Sequence, residues 1–196
     1  MTSHAQVESS EVPGTSLAEQ LAGVIRVFPD FPSAGVLFQD LAGVYADPQL
    51  MRATGAALAG AFAGEVDAIL AVEARGFVVG TAVALAADRP LLLARKAGKL
   101  PGPTHEADYQ LEYGLATLQI QRGALARGQR ILIVDDVLAT GGTLTAAASL
   151  VEHVGAQVAG FAVVLELAML GGRSRLAPKR LVSGLTLGTV APAVDA

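Results

Sequence analysis

No cysteine occurs in the 196 residues, which removes disulfides, thiolate metal sites and thiol nucleophiles together. Tryptophan is also absent and aromatic residues make up only 5% of the chain, so stacking surfaces are few. Charge is sparse, at 16% Asp, Glu, Lys and Arg with a net of −4, so nucleic acid is not an expected partner. A mean hydropathy of +0.49 raises the membrane question. Yet no uninterrupted apolar run reaches the ~18 residues a spanning helix needs. The longest candidates, Gly76 to Ala87 and Val154 to Leu165, are interrupted by Gly or Gln and stop at charges. That length suits buried strands and helices, and no membrane partner is expected. The opening stretch MTSHAQVESSEVPGTS has acidic residues and no apolar centre, so it is not expected to be a signal peptide. With zero cysteines, the expected compartment is a reducing cytoplasm.

What is present points to one folded domain. A hydrophobic share of 52% excludes disorder for the bulk of the chain, and the length fits a single core. Residues 1–15 read as a loose polar tail, and residues 16–196 as the domain. Ser16 caps a short helix, with Glu19 completing a capping box. Residues 25–40, IRVFPDFPSAGVLFQD, carry two prolines and a glycine among three phenylalanines. This pattern predicts an irregular, aromatic-lined segment, a small hood. Helices are then expected from Asp47-Pro48 to about Ala63, over Gly76–Ala87 and over Thr143–Val154. Strands are expected over Ala68–Val72, Leu91–Ala94, Leu115–Ile120, Ile131–Val134 and Val158–Leu165. Strands separated by helices imply right-handed crossovers and a parallel sheet. Runs such as ILIV and FAVVL, without polar alternation, fit strands covered on both faces.

In such a sheet, ligands bind outside the carboxyl ends of the strands. Three segments stand there: Glu73-Ala74-Arg75-Gly76, Arg95-Lys96-Ala97-Gly98-Lys99, and Asp135 to Thr143. The last is the most informative. An apolar strand is expected to end in Asp135 and Asp136, and a Thr- and Gly-rich loop then opens a helix. Gly141 and Gly142 permit close backbone approach, so successive N–H groups can line one concavity beside a positive helix end. Thr140 and Thr143 add hydroxyl donors. A phosphorylated sugar matches this pattern, with vicinal hydroxyls on Asp135 and Asp136 and its phosphate on Ala139, Thr140, Gly141, Gly142 and Thr143. Neither Gly-Lys-Ser/Thr nor G-x-G-x-x-G is present, which sets aside the two commonest nucleotide loops.

VDDVLATGGT resembles the phosphoribosyl-pyrophosphate signature of the type I phosphoribosyltransferases. The likeness extends over about Ile25 to Leu167, through IRVFPDFPSAGVLFQDL, EARGF, RKAGKLPGPT, LEYG and VLEL. GKLPGPT and LEYG point to the adenine-specific branch. The resemblance implies an α/β fold whose mostly parallel central sheet is flanked by helices, with the hood at 25–40 and a flexible lid loop at about 98–114. It implies transfer of 5-phosphoribosyl from 5-phosphoribosyl 1-pyrophosphate to adenine, giving AMP and pyrophosphate. Arg75, Arg95, Lys96 and Lys99 would then hold pyrophosphate, Arg75 at a turn where the peptide before Ala74 is often cis. Phe38 would stack on the base, and the backbone around Leu37 and Gln39 would read its edge. Glu112 would manage the proton at the purine, and Tyr113 would help close the lid. Mg2+ would be held mainly through substrate and water near Asp135 and Asp136, and the enzyme would be a homodimer. Gln39 stands where the family usually has Arg or Lys, and Ala34 where it usually has Pro. Another purine base (hypoxanthine, guanine or xanthine) is the alternative substrate. A phosphoribosyl-pyrophosphate-sensing regulator would need a DNA-binding extension, and the 24 residues before Ile25 are too few and too acidic for one.

Overall fold

The computed structural model describes residues 15–111 and 114–188. The expected tail lies almost wholly outside them, as do Glu112 and Tyr113. Helix α1 (Leu17–Val24) starts at Ser16, whose hydroxyl and backbone N–H both exchange hydrogen bonds with Glu19, completing the capping box. A two-stranded antiparallel hairpin follows, β1 (Arg26–Pro29) and β2 (Leu37–Asp40). The hood is therefore more regular than its composition suggests. Its prolines fall at the end of β1 and in the connecting turn, where no ladder N–H is required. An Arg26–Asp40 ion pair at 2.6 Å ties the two ends together.

Helices α2 (Ala42–Ala46) and α3 (Pro48–Gly60) lead into the main sheet, α3 capped by the Asp47 side chain on the Gln49 and Leu50 N–H groups. The sheet contains β3 (Ala68–Val72), β4 (Leu91–Lys96), β5 (Thr104–Leu111), β6 (Gly114–Gln121), β7 (Arg130–Leu138), β8 (Gln157–Leu167) and β9 (Leu181–Leu187). Their order is β5-β6-β4-β3-β7-β8-β9. The run β4-β3-β7-β8-β9 is parallel, and β6 and β5 add an antiparallel edge. Helix α4 (Gly76–Ala87) crosses from β3 to β4, and α5 (Gly142–His153) from β7 to β8. A short helix, α6 (Gly172–Leu176), precedes β9.

Two cores fill the two faces, as a doubly covered sheet requires. Leu70, Ile131, Ile133, Phe161 and Val163 meet Leu144, Ala147, Leu150 and Val151 of α5. Ile69, Leu132, Val134, Ala162 and Val164 meet Leu21, Leu50, Leu58, Val79 and Val83 of α1, α3 and α4. Among the described residues, no helix is long and apolar enough to cross a membrane.

One expected loop is largely a strand. Residues 98–114 include β5, which pairs antiparallel with β6 from Thr104 opposite Gln121 to Leu111 opposite Gly114. Glu106 and Asp108 are exposed, while Ala107 between them is half-buried and Tyr109 beyond them is buried, a half-covered edge strand whose period is short and polar.

Candidate functional site

The connections β3-α4-β4 and β7-α5-β8 run to opposite sides, so the order in which the parallel strands are added reverses between β3 and β7. Crevices open outside the strand ends at such a point, and the candidate side chains gather there. The expectation that β7 stops at its acids is corrected. The strand continues to Leu138, with Asp135 opposite Val163 and Leu138 opposite Glu166, because β8 supplies partners that far.

The Thr- and Gly-rich loop follows. Asp135 and residues 137–144 line a single concavity. Gly141 takes the left-handed conformation at φ +81° as the N-cap of α5, a geometry that favours glycine, and its carbonyl accepts from Thr145 Oγ1 at 2.9 Å. The loop is backed from behind: a Cβ on Gly172 would lie 2.3 Å from the Ala139 carbonyl oxygen. Tyr109 of β5 reaches across beside Thr143.

The two acids have different surroundings. Asp135 Oδ1 accepts from the Asp136 N–H at 2.9 Å and lies against Gly76, where a Cβ would come within 2.7 Å of it. Burial, and then the charge of Asp136, push its carboxyl well above the usual carboxylate range. Asp136, with a side chain only 6% exposed, turns toward the hood side. Its Oδ2 meets Arg75 Nε at 2.7 Å and accepts from the Tyr45 hydroxyl at 3.2 Å. Burial and then the Asp136 charge raise the Tyr45 phenol above its ordinary value.

Arg75 stands where β3 gives way to α4, after a cis Glu73–Ala74 peptide bond. Its Nη1 donates to the Gln39 carbonyl at 3.3 Å, and its guanidinium lies 5.0 Å from the centre of the Phe38 ring. Phe38 is braced edge-on by Phe31. One arginine thus links the hood to the acid of β7.

The second cation group sits at the end of β4. Glu73 accepts from the Lys96 N–H at 2.8 Å and pairs with Arg95 at 3.3 Å, while Arg95 Nη1 donates to the Lys99 carbonyl at 2.9 Å. Burial would raise the Glu73 carboxyl, but these donors outweigh it and hold it below its usual value. Lys96 and Lys99 are exposed and, among the described residues, form no ion pair.

A phosphoribosyl transferase domain model matches residues 44–186. The chain belongs to the phosphoribosyl transferase family. It is 52% identical over 166 residues to the adenine phosphoribosyltransferase of Clavibacter sepedonicus, covering 85% of this chain and 86% of the relative. The crystal structure of adenine phosphoribosyltransferase from Rhodothermus marinus matches with a TM-score of 0.83 and 41% identity, covering 87% of this chain and 98% of that one. The enzyme from Saccharomyces cerevisiae, crystallised with adenine and an imino-altritol bisphosphate, matches with a TM-score of 0.80 and 38% identity, covering 86% and 98%.

For this member of the family, the structure brings Asp136, Arg75, Phe38 and the Gln39 backbone into one contact network, and sets Asp135 with Ala139 to Thr143 around the concavity. Arg95, Lys96 and Lys99 form a neighbouring group organised by Glu73. Leu37 is exposed at the end of β2. Glu112 and Tyr113 lie outside the described residues. Sequence reading overlooked Tyr45, Glu73 as an anchor, Gly172 and Arg173. The last reaches back seven residues to Glu166, which is 2% exposed and also accepts from Ser183 and Thr186.

Proposed function

We propose that the chain transfers the 5-phosphoribosyl group of 5-phosphoribosyl 1-pyrophosphate to adenine in purine salvage, releasing AMP and pyrophosphate. The observation that carries this reading is the crevice between β3 and β7, where a phosphate cradle, two acids, an arginine and an aromatic ring converge. The 5-phosphate would lie on residues 139–143 at the start of α5, where backbone N–H groups and the helix end favour an anion. Asp135 and Asp136 would take the ribose. Arg75, Arg95, Lys96 and Lys99 would hold pyrophosphate, guanidinium forks and ammonium charges meeting the charge that grows on the leaving oxygens. Phe38 would stack on adenine, with the Leu37 and Gln39 backbone at its edge.

In the reaction the anomeric C1–O bond breaks and its electron pair leaves with pyrophosphate. Adenine N9 forms the new C1–N bond from the opposite face with inversion, and the N9 proton passes to a base. Glu112 is that base in this reading, with Tyr113 and the β5–β6 hairpin as a water-excluding cover. Positioning and electrostatics supply most of the rate.

Magnesium belongs to the same proposal. Asp135 and Asp136 offer hard carboxylate oxygens, while no group of three or more potential ligands gathers among the described residues. This suits an ion bound mainly by substrate and water. What it supplies when bound is neutralisation of pyrophosphate charge. A cytoplasmic homodimer completes the reading, supported by the cysteine-free composition and by Val78, Leu85 and Leu93 exposed on α4 and β4.

The test is an assay of the purified protein with each purine base and 5-phosphoribosyl 1-pyrophosphate, with and without magnesium. AMP and pyrophosphate should appear one for one with adenine. Nucleotide from hypoxanthine or guanine but not adenine would overturn the base assignment, and none from any base would overturn the activity.

A further inference from the structure

We propose that Tyr45 is a positioning residue for Asp136, holding that carboxylate in place for the ribose; this rests on the assignment of Asp136 to ribose binding. Tyr45 belongs to none of the motifs that carry the family likeness. It sits on α2, just past the hood, 91 residues from the acid it touches.

The argument begins with one oxygen. Asp136 Oδ2 receives both Arg75 Nε at 2.7 Å and the Tyr45 hydroxyl at 3.2 Å, and the Asp135 carboxyl lies within hydrogen-bond reach of the same side chain. A nearly buried carboxylate needs donors to keep its charge and its orientation. Its two donors differ in what else they must do. Arg75 is 41% exposed and is the residue assigned to pyrophosphate, so substrate competes for its guanidinium. Tyr45 carries no charge for pyrophosphate to attract. Its ring packs against the core cluster to which Leu41 and Val44 belong, and those two buried side chains anchor its helix. When Arg75 turns toward the leaving group, Tyr45 keeps Oδ2 engaged and leaves Oδ1 for a ribose hydroxyl.

A purely structural tyrosine would act through its ring alone. Tyr45→Phe keeps the ring and removes the donor. Calorimetric titration with ribose 5-phosphate, without adenine or metal, reads binding directly, and steady-state kinetics read each KM. Tyr45→Phe should weaken ribose 5-phosphate binding and raise the KM for 5-phosphoribosyl 1-pyrophosphate about five-fold, as expected for one hydrogen bond to a charged group acting indirectly. The adenine KM should change less than about two-fold on the same argument. In an Asp136→Ala background, the same substitution should add nothing further, since no side-chain acceptor is left for the hydroxyl.

Unchanged binding in Tyr45→Phe, or additive losses in the double variant, would overturn the proposal. Failure of the parent protein to bind ribose 5-phosphate would instead overturn the ribose assignment beneath it. Should Tyr45→Phe fold poorly, the melting temperature would show it. Tyr45→Leu would then serve as comparison, with equal losses in both KM values marking a structural role and refuting positioning.

Discussion

Arg75, in the turn from β3 into α4, and Asp136 of the neighbouring parallel strand β7 meet at 2.7 Å. Asp136→Asn should break this relationship while preserving shape. The amide keeps the volume but gives up the charge that Arg75 meets and that the proposed function assigns to the ribose. We expect kcat/KM for 5-phosphoribosyl 1-pyrophosphate to fall about a hundred-fold or more, in line with the loss of charge-assisted contacts in a shielded site. Circular dichroism should remain that of the parent, and parental rates would remove Asp136 from the site.

The loop after β7 has a close-packed back wall. A methyl on Gly172 would sit 2.3 Å from the Ala139 oxygen and 2.7 Å from a Leu138 methyl, so one side must move. Gly172→Ala should destabilise the protein by about 1–3 kcal/mol, the usual range for forced overpacking. It should also raise the KM for the phosphorylated substrate more than that for adenine. Gly23→Ala on α1, where nothing lies within 4 Å, is the control and should melt no lower than the parent.

Acid should loosen the end of β8. The Arg173 guanidinium holds the Glu166 carboxyl below its usual value, helped by the Ser183 and Thr186 hydroxyls against the opposing effect of burial. A carboxyl whose pKa is depressed by folding contributes stability above its unfolded pKa of about 4.3, and loses it as pH falls through the lower folded value. Asp67 adds to the same trend, its carboxyl drawn to about 2 by Arg130. Thermal melts should therefore show the melting temperature dropping as pH is lowered from about 5 toward 3. Glu166→Gln should lower the neutral-pH value and flatten that slope. An unchanged slope would show that Glu166 contributes nothing to it.

Gln39 departs from the basic residue usual in the family, and its side chain is nearly buried. Among the described residues its Oε1 has no partner, while Nε2 makes only a long 3.4 Å contact with the Leu37 carbonyl. Unsatisfied buried amides cost stability. Gln39→Met should raise the melting temperature and leave the adenine KM within about three-fold, because the proposed function assigns the base edge to backbone that the substitution preserves. A large rise in that KM would show that the carboxamide itself contacts the base.

The parts legible in the sequence are those whose burial is two-sided or whose chemistry is local. Ala68–Val72 and Gly76–Ala87 appear with the expected bounds, because a wholly buried strand and an alanine-rich helix leave continuous apolar runs. The Asp-Asp, Thr-Gly-Gly-Thr stretch announced its concavity because the features it needs are adjacent in the chain. β5 was hidden by its polar outer face, Glu106 and Asp108 reading as loop. β9 was hidden by Gly184, which resembles a turn signal but is a packing requirement, since a Cβ there would press on Leu21 at 2.9 Å. Tyr45 and Arg173 could not be singled out at all. Their roles come from partners brought near by topology, and the residue types carry no mark of it.

β6 joins β4 through two register pairs, Arg95 with Gln119 and Lys96 with Leu118. The outer hairpin is thus joined to the sheet at the very residues that present positive charge at the strand end. In the proposed function, a tilt of that arm would carry those charges with it, so that shielding the sugar and holding pyrophosphate would be mechanically coupled.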